Sequence, residues 1–169
     1  MSVTVGAVIA TMNVARSVAA FTGLIDSSSA GIDKLIHQAF RSALMNLEMA
    51  KTASVREQGL EYVKEARSRF VDAVAVEKDE SLVMAYAGLA MCQYLLGDRQ
   101  NARLSLARIS GVELSSAEKV KAGAKDFFLG PTFFLGAPGK AWDAYNAAKK
   151  REETFRQFKN KVMLEMKQI

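Results

Sequence analysis

Cysteine and histidine are nearly missing from this chain, with one of each, Cys92 and His37, among 169 residues. A lone cysteine closes no intramolecular disulfide, so the chain does not read as a disulfide-stapled secreted fold, and a reducing compartment is the simpler expectation. A His/Cys metal site needs three or four ligands, and this composition cannot supply them. Proline occurs twice, which argues against a proline-rich linker or a collagen-like fibre. Sustained period-two alternation of β-branched residues is absent, which argues against sheet. No run of about 20 uninterrupted apolar residues occurs, as a spanning helix would need. Between Val3 and Ile25, Asn13, Arg16, Ser17 and Thr22 break the apolar pattern. No positively charged n-region stands before Val3, so a secretory leader is not expected.

Half of the residues are hydrophobic and a quarter charged, the composition of a folded domain with a sizeable core. The formal net charge is +5, and the excess is concentrated late in the chain. Residues 101 to 169 hold thirteen basic and seven acidic side chains, against three and three in residues 1 to 50. Such asymmetry suits an acidic partner. Lys149, Lys150 and Arg151 run straight into Glu152 and Glu153, and no nucleic-acid motif accompanies them, so the pattern reads as a solvated helix face and nucleic acid is not an expected partner.

Apolar residues recur at spacings of three and four through most of the chain, which predicts an all-α fold of about seven helices in a single domain over 1–169. The first helix is nearly uncharged, Arg16 being its one formal charge, and a helix apolar on most sides must be surrounded by something. Val5, Val8, Ile9, Met12 and Phe21 on it are candidate membrane or oligomer contacts. A second helix is expected after Ser27-Ser28-Ser29, burying Ile32, Leu35, Ile36, Ala39, Phe40, Ala43, Leu47 and Ala50. His37 falls off that stripe and reads as a surface imidazole between Asp33 and Arg41. Ser54-Val55-Arg56-Glu57 fits a capping box that opens a third helix with Tyr62, Val63, Ala66, Phe70, Ala73 and Val74 inward. A fourth, about Ser81 to Leu96, is apolar almost throughout and carries Cys92 as a small buried hydrophobe. Gly97-Asp98 ends it and caps a fifth, and a connection that short makes the two antiparallel.

A second capping box at Ser115-Ser116-Ala117-Glu118 predicts a short sixth helix toward Phe128. Phe127-Phe128-Leu129-Gly130 and Phe133-Phe134-Leu135-Gly136 follow, a stretch too apolar for a solvated loop. It reads either as a hydrophobic plug or as a contact surface in which Phe133 and Phe134 meet a partner or a bilayer. Lys140 to Ile169 reads as a final long helix with Trp142, Tyr145, Ala148, Phe155, Phe158, Val162 and Met166 on its apolar face.

An Ala-x3-large-x2-small-or-branched pattern occurs three times, at Ala66/Phe70/Ala73, Ala102/Leu106/Ile109 and Ala141/Tyr145/Ala148, in steps of 36 and 39 residues. A small residue at a helix crossing lets two backbones approach, and a bulky one a turn later fills the neighbouring gap, so hairpins can stack on one continuous core. With Tyr86, Leu89, Ala90 and Gly97 added, the stretch from Glu80 to Ile109 resembles a tetratricopeptide repeat. The resemblance extends in weaker form over 54–150. Residues 1–53 contribute N-terminal helices outside the repeat, and 151–169 a basic helix end. It implies stacked antiparallel hairpins whose first helices line a groove for a protein or peptide, with Met84, Ala87, Met91 and Tyr94 facing that groove. The apolar first helix could also lie in the groove.

Two functions remain open on these grounds. One is a protein–protein interaction or scaffold module, with self-association into a homo-oligomer included. The other is a membrane-associated or pore-forming, self-assembling effector that acts through the first helix. The corresponding location is the cytoplasm, or the periphery of a membrane. An enzyme is not expected. Phosphate-binding glycine loops are absent, adjacent acidic pairs such as Asp79-Glu80 splay around a helix and do not converge, and no cofactor or metal is implied.

Overall fold

The computed structural model describes residues 5–26, 37–114 and 138–168, with side chains described for 14–25, 37–114, 146, 147 and 149–168. Among the described residues the chain is all-helical and has no strand. The six helices are α1 (Val5–Asp26), α2 (Gln38–Thr52), α3 (Arg56–Val76), α4 (Asp79–Leu95), α5 (Arg99–Ser110) and α6 (Pro138–Lys167). The expected helix between Ser115 and Phe128, and the phenylalanine-rich stretch after it, lie outside the described residues.

Three connections of two or three residues, at 53–55, 77–78 and 96–98, turn α2 back on α3, α3 on α4 and α4 on α5. Connections this short leave antiparallel packing as the one arrangement. α4 also meets α1 and α6, so it is touched from four directions. Its sequence anticipates this. The acidic residues stand in its first turn, and Val83, Met84, Ala85, Ala87, Leu89, Ala90, Met91 and Cys92 are all buried along its length.

Three fully buried phenylalanines from three helices form the centre of the core. Phe70 of α3 receives Phe21 of α1 and Phe40 of α2 edge-on, with centroids 5.8 and 5.5 Å away and planes near perpendicular, the geometry aromatic quadrupoles favour. The face of α4 beneath Phe70 carries Gly88, where a Cβ would lie 2.4 Å from the ring's Cζ. Glycine is what lets α3 and α4 close to this separation. The expected inward faces hold: Phe40, Ala43, Leu47 and Ala50 on α2, and Val63, Ala66, Phe70 and Ala73 on α3, are buried. Ala66 and Ala102 are both buried, whereas the side chain of Ala141 lies outside the described residues.

Helix boundaries depart from the sequence expectations in two places. α2 does not run through His37. It starts at Gln38, with His37 as its N-cap, whose Nδ1 accepts a 3.3 Å bond from the Ala39 N–H. His37 is therefore exposed at a helix start and not in mid-helix between Asp33 and Arg41. Ile32, Leu35 and Ile36 lie outside the described residues. The capping box at Ser54 does not form either: Val55 is the N-cap of α3, in extended conformation and with no side-chain bond.

A buried polar tie stands at the corner between α3 and α4. Glu77, between α3 and α4, is 7 % exposed and accepts the Ser81 hydroxyl at 2.8 Å and the backbone N–H of His37. One carboxylate thus joins the α3–α4 corner to the N-terminus of α2, where negative charge is also favoured by the helix dipole. At the same corner Asp79 has φ of 52°, a left-handed conformation that costs a non-glycine residue about 1–2 kcal/mol.

α6 lies against α4 and α5 through Phe155, Val162 and Met166, which are buried, and Phe158, which is half-buried. Lys159 fastens it: Nζ donates to the Val112 carbonyl at 2.7 Å and to the Ser110 carbonyl at 3.3 Å. Those oxygens stand at the C-terminal end of α5, where carbonyls lack helical partners and a cation offsets the dipole.

Candidate functional site

The turn between α4 and α5 is built from local chemistry. Gly97 has φ of +85° and nothing within 4 Å of where a Cβ would stand, so backbone conformation and not crowding calls for glycine there. Asp98 follows as N-cap of α5, with Oδ1 accepting the Asn101 N–H at 3.2 Å and Oδ2 the Asn101 side-chain amide at 2.7 Å. Those bonds hold the Asp98 carboxyl below its ordinary pKa. Further along, the Ser105 hydroxyl donates to Gln93 Oε1 at 2.7 Å and joins the two helices above the turn.

Two concavities open beside this turn and share Tyr94, Arg99 and Gln168. The first, of about 620 Å³, lies among α1, the start of α3, the α4–α5 turn and the end of α6, and receives Arg16, Arg56 and Arg99 from three different helices. Glu165 is the one carboxylate among its lining residues. The second, of about 470 Å³, is a more apolar groove with Met91, Ala102, Leu106 and Met166 in its walls and Arg99, Arg103 and Lys167 also lining it. Tyr94 stands between them, 43 % exposed, with the Arg99 guanidinium 5.8 Å from its ring centroid, within reach of a cation–π contact.

A third concavity, of about 720 Å³, lies where the α3–α4 corner faces α6, with Glu77, Asp79 and Glu80 on one side and Lys150 and Arg151 on the other. Burial pushes the Glu80 carboxyl up in pKa, Arg151 opposes the shift, and Asp79 adds to it. Asp79 Oδ1 and Glu80 Oε2 are buried atoms without a hydrogen-bond partner among the described residues. Among those residues no group of three His, Cys, Asp or Glu side chains is placed to hold a metal ion.

The groove-facing set expected from the sequence divides here. Met84, Ala87 and Met91 are at most 1 % exposed and belong to the core, because α4 is enclosed by its neighbours; of the three, Met91 also lines the second concavity. Tyr94, a turn further on, is the member that reaches solvent. Phe21, expected as a membrane or oligomer contact, is fully buried against Phe70. The side chains of Val5, Val8, Ile9 and Met12, and all of Phe133 and Phe134, lie outside the described residues. No helix among the described residues is long and apolar enough to cross a membrane. Cys92 is fully buried inside α4, and burial pushes its thiol pKa up, the opposite of what a reactive thiol needs.

Arg16, Arg56 and Arg99 were not singled out as a group by sequence reading, since 83 residues of chain separate the first from the last. One signal was present: Arg16 is the single formal charge between Val5 and Ile25 of an otherwise apolar helix. A cation retained there points to a polar surface on that side of α1.

No family model matches this chain, and no curated protein or solved structure matches it.

Proposed function

We propose that this chain is a protein–protein interaction module built from tetratricopeptide-like helix pairs, which binds a segment of another protein at the α4–α5 turn. The observation that supports this reading is Tyr94. On a helix otherwise enclosed by its neighbours, it is the large side chain left in water, and it stands on the ridge between a cationic cavity and an apolar groove. Tyrosine offers a large rigid contact area with a polar tip and is enriched where proteins meet. The apolar groove takes hydrophobic side chains of a bound segment, and the arginines favour an acidic one. In this reading Met84 and Ala87 support the site from within the core, and Met91, though almost wholly buried, forms part of the groove wall that the partner meets. The module binds without turnover, needs no cofactor, and works in a reducing, cytoplasmic setting.

Selection of a random displayed peptide library on the full-length protein tests the reading. Enriched peptides are expected to combine acidic residues with a large apolar residue, and Tyr94→Ala is expected to weaken them at least tenfold while leaving the melting temperature unchanged. Enrichment no better than on an unrelated helical protein, or peptides indifferent to Tyr94→Ala, would overturn it. A second copy of this chain as occupant would show instead as concentration-dependent mass in light scattering that Tyr94→Ala abolishes.

A further inference from the structure

We propose that the arginine-lined cavity at the α4–α5 turn is a phosphate-binding pocket, and that its ligand is a phosphorylated side chain of a bound peptide. The inference rests on the interaction-module reading and adds the chemistry of the partner.

Three cations are brought together by the fold at a place where the sequence shows no basic cluster. Arg16 comes from the middle of α1, Arg56 is the first residue of α3, and Arg99 is the first residue of α5. All three are exposed, and among the described residues none forms a salt bridge. Elsewhere on the surface Arg69 pairs with Glu65 and Arg156 with Glu152, one turn away. Cations from separate elements left unpaired around one cavity repel each other, and an anion between them relieves that repulsion.

A second observation comes from Ser17. It lines the same cavity beside Arg16 and is 8 % exposed, and a serine hydroxyl in a cavity wall can donate to an acceptor that enters. α3 adds to the field, since it starts at Arg56 with no side-chain cap on its positive end. Glu57 in the same turn does not line the cavity.

The stoichiometry favours phosphate over carboxylate. Against Glu165, three guanidiniums leave two positive charges, which matches the roughly −1.5 to −2 of a phosphate monoester near neutral pH. A carboxylate presents two oxygens and satisfies one bidentate guanidinium, whereas a phosphoryl group presents three terminal oxygens to three forks and a hydroxyl. The continuity with the apolar groove argues for a peptide as the source. A free phosphate would fill the three-arginine cavity alone and leave the adjoining groove, where Met91, Leu106 and Met166 stand with Arg103 and Lys167, unused.

Fluorescence anisotropy with full-length protein tests this, using a labelled degenerate peptide library with a fixed central phosphoserine, the same library with serine, and inorganic phosphate and O-phosphoserine as competitors. The phosphorylated library is expected to bind at least tenfold tighter than the serine library. Arg16→Gln and Arg99→Gln are each expected to remove about tenfold of that preference, with Arg99→Lys intermediate and melting temperatures unchanged. Equal binding of the two libraries, no binding of either, or a preference that survives the glutamine variants overturns the proposal. Inorganic phosphate or O-phosphoserine binding as tightly as the library overturns the peptide source. If the phosphate preference is absent while displayed unphosphorylated peptides still depend on Tyr94, the phosphate assignment falls and the interaction module stands.

Discussion

Gly88→Ala separates two opposed effects that the structure predicts at one methyl group. In an exposed mid-helix position, replacing glycine by alanine stabilises by about 1 kcal/mol, because the unfolded chain loses freedom and the helix gains propensity. At Gly88 the added Cβ would meet Phe70 at 2.4, 2.6 and 2.8 Å through three ring atoms. Those atoms are the far end of a side chain, which elsewhere could swing aside. Phe70 cannot do so freely: it is fully buried, with Phe21 and Phe40 edge-on against it. Relief requires α3 and α4 to separate by several tenths of an ångström along a packed interface. Overpacking of this kind costs about 1–3 kcal/mol, and the immobilised ring places the cost toward the upper end. Net of the propensity gain, Gly88→Ala is expected to destabilise by about 1–2 kcal/mol, lowering the melting temperature by roughly 2–8 °C in a chain of this size. Urea titration and thermal melts measure it. The partner change Phe70→Leu removes the clashing ring atoms, at a cavity cost of its own, so the double variant is expected to be more stable than the sum of the two single losses, with a coupling of about 1 kcal/mol. A Gly88→Ala variant as stable as the parent or more so, or strict additivity with Phe70→Leu, would refute the close approach of α3 and α4.

Other consequences are accessible to the same methods. Glu80 has its pKa raised by burial, so its ionised form is disfavoured in the fold; stability on this account is highest below the ordinary carboxyl value of 4.5 and falls as pH rises through the folded-state value. Glu80→Gln is therefore expected to raise the melting temperature at pH 7 and to leave it unchanged near pH 3, and equal effects at both would contradict the assignment. Glu77→Ala leaves the His37 N–H and the Ser81 hydroxyl without their shared acceptor and is expected to cost about 1–3 kcal/mol in urea titration. Lys159→Met removes two bonds to the end of α5 while keeping the stem, and hydrogen exchange over residues 155–166 is expected to quicken with little change elsewhere. Liposome flotation tests the membrane alternative: release of α1 would withdraw Val14, Val18, Phe21, Leu24 and Ile25 from the core, on the order of 10 kcal/mol of burial at about 2 kcal/mol each. The folded chain is expected to stay at the bottom of the gradient.

What could be read in advance follows the range of the interactions concerned. The inward stripes of α2 and α3, the enclosure of α4 and the Gly97-Asp98 turn depend on residues within a turn or two of each other, and period and cap chemistry reveal them. Asp98 caps a residue three positions away, so its role is legible. Glu77 accepts a backbone N–H at the start of a helix 40 residues earlier, and nothing local signals that. Alanine was given the close approaches, and Ala66 and Ala102 are buried, but the approach of α3 to α4 also uses Gly88 opposite Phe70. The candidate groove was assigned by analogy with open repeat arrays. α1, which the repeat pattern does not describe, and α6, which it describes only up to residue 150, join α3 and α5 around α4 and leave Tyr94 as the solvent-facing member. The arginine pocket draws on α1, α3 and α5, and only a folded chain assembles it.

The binding surface at the α4–α5 turn is the claim on which the functional account depends, and amide chemical-shift mapping tests it most directly. Titration of the isotope-labelled full-length protein with a peptide selected for binding is expected to shift the amides of Arg16, Ser17, Tyr94, Gly97 and Arg99 first and furthest, and those of α2 hardly at all. Shifts concentrated on α2, or spread evenly without saturation, would contradict it.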